Sequence, residues 1–123
     1  MATLTPTLTL SSSDMNGDVL NLSATDSLSI LGQVTTQQIV VTTTSAIFAA
    51  AANYTKSYVY LKNLSKTPAE IIEVETSSGA GKMFTLGSEE FTFFPWSSLV
   101  DLFADAAVGT PTLEVRIYQE AAA

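Results

Sequence analysis

From Thr112 to Gln119, the apolar residues Leu113, Val115 and Ile117 alternate without a break with Glu114, Arg116 and Tyr118. An extended chain sends successive side chains to opposite faces, so this period of two predicts a β-strand with one face in a core and the other in water. The same period recurs along the chain. Leu4, Leu8 and Leu10 are set among threonines, Leu20 and Leu22 share a face, and so do Leu28 and Ile30 beyond the turn residues 24–27. Further strand patterns cover 54–64, 69–76, 82–86, 90–95, 99–106 and 112–119, divided by Ser-, Pro- and Gly-containing breaks. A helical period of 3.6 is sustained nowhere. Many short strands with turn punctuation predict an all-β fold, an antiparallel β-sandwich or jelly roll of about eight strands. A parallel α/β sheet would need long crossover helices. Two segments resist a strand assignment: 33–44, β-branched but with paired polar residues, and 45–53, where Ala49 to Ala52 favour a loop with one helical turn.

At 123 residues the chain has the size of one domain. It divides into an N-terminal arm or edge strand over 1–12 and a single sandwich domain over 13–123. The chain is 46% hydrophobic and only 14% charged, against about 25% charge in an ordinary soluble domain, so the folded surface must be sparing in charge. It contains no cysteine and no histidine. That excludes disulfides, thiolate nucleophiles, imidazole bases, Cys or His zinc sites and the Ser-His-Asp triad.

Five basic residues stand against twelve acidic ones, a net charge of −7. This is the opposite of the basic footprint that neutralises phosphates, and nucleic acid is not an expected partner. No basic n-region opens the chain, and the small-apolar run 46–52 is far short of the roughly 20 residues that span a bilayer. A soluble chain without a secretion signal or membrane partner is therefore expected, and the sequons at Asn21, Asn53 and Asn63 read as chance matches in a Ser/Thr-rich sequence.

Three patterns resemble chemical sites and fail on their details. Asp14, Asn16 and Asp18 around Gly17 offer oxygen ligands of the kind calcium takes, but without the further acidic ligands of a calcium loop. Asn-Gly is a hairpin-turn signal, and a turn is the better reading. Gly79 to Lys82 looks like a phosphate loop, yet the motif needs glycine where Thr76 stands and a hydroxyl where Met83 stands. Glu73 and Glu75 share a strand face, and Glu89 and Glu90 adjoin. Paired carboxylates can hydrolyse glycosides, but nothing marks one as desolvated and held protonated, so they read as solvated surface. No catalytic residue, cofactor or metal is expected.

The densest aromatic cluster is Phe91-Thr92-Phe93-Phe94-Pro95-Trp96. Alternation puts Phe91 and Phe93 on one strand face and Phe94 and Trp96 on the other, so one face serves the core and the other needs a neighbour. Phe103, opposite Val100, Leu102 and Ala104, poses the same question. Large exposed apolar patches usually mark association. On that ground Phe94, Trp96 and Phe103 are candidate interface residues, with sugar or base stacking as the alternative use of an aromatic face. Leu4, Leu8 and Leu10 join them. Their arm is uncharged and carries Pro6, which sheet edges tolerate, so it is expected either to pair with a neighbouring subunit or to form the first strand of its own sandwich.

The C-terminal half, about 54–119, resembles small virion structural proteins of tailed bacteriophages, especially phages of marine and cyanobacterial hosts. The residues that carry the resemblance are 58–64 (YVYLKNL), 91–96 (FTFFPW), 101–103 (DLF) and 112–118 (TLEVRIY). It implies a non-enzymatic β-sandwich protein that binds and stabilises the phage head as a capsid decoration (cement) protein. It further implies a homotrimer on the capsid surface of the virion, made in the host cytoplasm, with the major capsid protein as partner. The alternative within the same resemblance is a tail or fibre module that contacts host glycans.

Overall fold

A computed structural model describes residues 2–13, 20–77 and 82–121. Among these there are eleven strands and no α-helix. In chain order they are β1 (Ala2–Leu4), β2 (Thr7–Ser12), β3 (Leu20–Thr25), β4 (Leu28–Val40), β5 (Ala46–Ala49), β6 (Ser57–Asn63), β7 (Ile72–Glu75), β8 (Lys82–Leu86), β9 (Phe91–Trp96), β10 (Leu102–Ala106) and β11 (Thr112–Glu120). A single 3-10 turn covers Ala51–Asn53. The all-β expectation holds, and every strand pairing is antiparallel. The Asp14 to Asp18 cluster and Gly79 to Gly81 lie outside the described residues.

One sheet has five strands in the order β1-β4-β11-β6-β9, and a second has four in the order β5-β10-β7-β8. A single core cluster draws on both. Val59 and Leu61 of β6, Trp96 of β9 and Leu113, Val115 and Ile117 of β11 meet Ile72 and Val74 of β7, Leu86 of β8 and Leu102, Ala104 and Ala106 of β10. The alternation read in β11 is the cause: its odd-numbered apolar side chains are at most 1% exposed. Each such side chain contributes about 1.5–3 kcal/mol when fully buried.

The segment 33–40 is strand after all, as the far part of β4. β1 covers only Leu28 to Ile30 of that strand, and beyond Ile30 its second edge is unpaired among the described residues. Most of 31–40 is exposed on both faces, so no buried face enforced an alternating pattern. The 45–53 segment is a short edge strand, β5, followed by the expected turn.

The N-terminal arm pairs within its own chain. β1 pairs with β4 (Leu4 opposite Leu28), and β2 with β3 (Thr7 opposite Thr25, Ser12 opposite Leu20), in one register on both sides of a gap at Thr5 and Pro6. Proline has no N–H to give to a ladder. Its carbonyl still accepts from the Asp26 N–H at 3.2 Å, so the ribbon runs on across the break.

Candidate functional site

Cross-strand partners in a sheet share a face, and the rows of the five-stranded sheet gather aromatic side chains on its outer side. Tyr58 lies opposite Tyr118 on β11 and Pro95 on β9, Tyr60 opposite Arg116 and Phe93, and Lys62 opposite Glu114 and Phe91. Tyr58 stacks on Phe93 with ring centroids 6.4 Å apart, Tyr60 meets Phe91 at 6.3 Å, and the Lys56 ammonium sits 5.5 Å from the centre of the Tyr58 ring. Phe91 is 62% exposed.

Tyr60, Phe93, Tyr118, Glu114 and Arg116 line a cleft of about 330 Å³, closed on one side by Leu4 and Pro6. Arg116 Nη2 donates to Glu114 Oε2 at 3.4 Å. That bond, then the Glu114 charge, raises the Arg116 pKa further above neutrality. Burial, reinforced by Glu114, raises that of the Tyr60 phenol. The phenol is therefore a neutral donor near pH 7, beside a paired cation and anion.

Leu4 links this cleft to the ribbon. On one face of the ribbon Leu8 lies opposite Ala24 and Leu10 opposite Leu22, while Thr7, Thr9 and Ser11 face Thr25, Ser23 and Asn21 on the other. Leu4 and Leu28 continue the apolar face toward the body and are half-buried there. At the outer end nothing among the described residues covers it: Leu8, Leu10 and Leu22 are 44–47% exposed.

These positions redistribute the interface residues expected from sequence. Leu8 and Leu10 are exposed and Leu4 lines the cleft. Trp96 is core: it is 5% exposed, its Nε1 donates to the Val100 carbonyl, and its ring packs 5.6 Å from Tyr54. Phe94 also turns inward, packing edge-on against Phe84 at 5.6 Å beside the core cluster. The exposed aromatic face belongs to Phe91 and Phe93 instead. Alternation had separated the two pairs and could not tell which pair faced in. Phe103 is half-buried on the four-stranded sheet, opposite Glu75 and Ile47.

The carboxylates correct the sequence reading at one position. Glu73 is part-exposed and bound to the Lys82 ammonium at 2.8 Å, but Glu75 is only 2% exposed. Together with Asp105 they bring three carboxylates within 4.8 Å of one another. Asp105 is on β10, a strand that carries no paired-acid motif, so only the pairing of Asp105 with Glu73 reveals the group. The sequon at Asn63 is closed to modification. That side chain is fully buried, donates from Nδ2 to the Glu70 and Leu86 carbonyls and accepts from the Ser65 N–H. Among the described residues no helix is long and apolar enough to cross a membrane. No family model matches the chain, and no curated protein or solved structure does.

Proposed function

We propose that this chain is a non-enzymatic virion structural protein: a capsid decoration (cement) protein with a β-sandwich or jelly-roll architecture, bound to the phage head as a homotrimer against the major capsid protein. One observation carries the reading. The apolar side of the N-terminal ribbon begins half-buried at Leu4 and Leu28, adjoins the aromatic cleft through Leu4, and ends exposed at Leu8, Leu10 and Leu22. Leucines held in register on a two-stranded arm and left in water lose the burial energy that the rest of the pattern secures, and such patches usually mark association. The uncharged outer edge of β4 adds backbone donors and acceptors that a neighbour's strand can pair.

A tail or fibre module that binds host glycans is the second reading. It is favoured by the cleft itself, where Tyr60, Phe93 and Tyr118 offer ring faces for a sugar and Glu114 and Arg116 offer polar groups for its hydroxyls.

Replacing Leu8, Leu10 and Leu22 together by serine tests the first reading. The variant is expected to remain a folded monomer, to lose trimers in light scattering, and to lose occupancy on purified heads, where the wild type is expected in hundreds of copies per particle. A wild-type protein that is monomeric and present in only a few copies, with a glycan bound at Tyr60 and Phe93, would decide for the second.

A further inference from the structure

The outer face of the four-stranded sheet gathers negative charge in a way its strand order explains. Antiparallel pairing sets Asp105 of β10 directly opposite Glu73 of β7, and Glu75 two residues along the same face. One carboxylate oxygen from each of the three lies within 4.8 Å of the other two. Lys82, paired with Glu75 in the neighbouring strand β8, places its ammonium 2.8 Å from Glu73 Oε2. Three carboxylates and one ammonium leave two negative charges uncompensated at the cluster.

Burial makes that surplus costly. Glu75 is 98% removed from solvent, and its Oε2 has no hydrogen-bond partner among the described residues; Asp105 Oδ1 is likewise buried and without a partner among them. Buried polar atoms in folded proteins are almost always satisfied, and orphaned oxygens on two members of a crowded carboxylate trio point to a missing positive partner. Burial, and then the charges of Glu73 and Glu75, raise the pKa of Asp105.

We propose that Glu73, Glu75 and Asp105 bind one calcium ion between β7 and β10. A divalent charge equals the surplus left after Lys82. Three oxygens within 4.8 Å of one another need close in by no more than a few tenths of an ångström for one ion to bind all three with bonds of about 2.3–2.6 Å, and carboxylates that bind through one or both oxygens suit the flexible oxygen shell of calcium. Magnesium, smaller and reluctant to shed water, fits a cluster of three carboxylates less well. The ion would join two neighbouring strands on the side of the sheet away from the core, beside Phe103. None of these three ligands belongs to the Asp14 to Asp18 segment singled out by its sequence.

The test is calorimetric titration of the chelator-stripped full-length protein with calcium, and separately magnesium, at neutral pH, together with thermal melts in EDTA and in roughly 1 mM calcium, within the range of weak calcium modules. The expected result is one calcium per chain, a melting temperature several degrees higher with calcium than with EDTA, and at least tenfold weaker binding of magnesium. Glu75→Gln is expected to melt no lower than wild type in EDTA, because it removes an uncompensated charge, and to show no response to calcium. Asp105→Asn provides the same comparison should Glu75→Gln fail to fold. A wild type that neither binds calcium nor shifts its melt would overturn the proposal, as would stoichiometric calcium binding that survives in whichever variant folds. A melt that ignores both metals but falls as pH rises would also overturn it, since the cluster would then be held by a shared proton.

Discussion

Trp96 Nε1 donates a hydrogen bond to the Val100 carbonyl at 3.1 Å, so the bulkiest side chain of the aromatic cluster is tied to its own following loop while the ring fills the core. Three residues earlier, Phe93 points the other way and is 39% exposed. One strand thereby holds an anchor for the fold and an aromatic surface for something outside it.

The two roles separate under mutation. Trp96→Ala is expected to cost about 3–5 kcal/mol of fold stability, the range for large buried aromatics, read as a lowered urea midpoint. Phe93→Ala is expected to cost less, about 1–2 kcal/mol of monomer stability, because its ring is only partly buried, while weakening assembly or ligand binding at the cleft. Equal destabilisation by both substitutions would contradict this division.

From a fully buried position at the end of β6, Asn63 ties the β6–β7 loop to the end of β8, through bonds of 2.8 Å to the Glu70 carbonyl, 3.0 Å to the Leu86 carbonyl and 3.0 Å from the Ser65 N–H. Asn63→Ala orphans two carbonyls and one N–H. A loss of about 1–3 kcal/mol is expected for such unsatisfied buried groups. Hydrogen exchange should locate the loosening at residues 65–70 and 86–90, and protection unchanged there would refute the role.

Glu70 supplies a pH dependence of known sign. Its carboxylate accepts from the Ser65 hydroxyl at 2.6 Å and from the Thr110 N–H at 3.2 Å. The Ser65 bond foremost, against a smaller opposing effect of burial, holds the pKa below the ordinary glutamate value. A depressed folded-state pKa contributes stability that is present above the unfolded pKa and is lost as pH falls through the folded one. Wild type should therefore melt above Glu70→Gln at neutral pH, and the gap should close as the pH is lowered through the acid range. A gap independent of pH would assign the effect to packing.

The sequence by itself determined the class of structure and the division of side chains within each strand. Leu113, Val115 and Ile117 were bound to lie together because a period of two admits no other arrangement in an extended chain. It determined equally that Phe91 and Phe93 oppose Phe94 and Trp96, and that no imidazole or thiol chemistry is available to this protein. Tertiary structure alone decided which of those faces turned inward, because alternation fixes relative orientation and the core is chosen by all strands at once. It decided that 33–40 is strand, since hydrogen bonds to β11 hold that segment where no buried face left a pattern to read. It also decided that the β7 glutamates are not simple surface residues. Glu75 is buried, and Asp105 faces Glu73, through pairing between strands some thirty residues apart in sequence. That long-range register follows from packing the two sheets around one core, and no local run of residues encodes it.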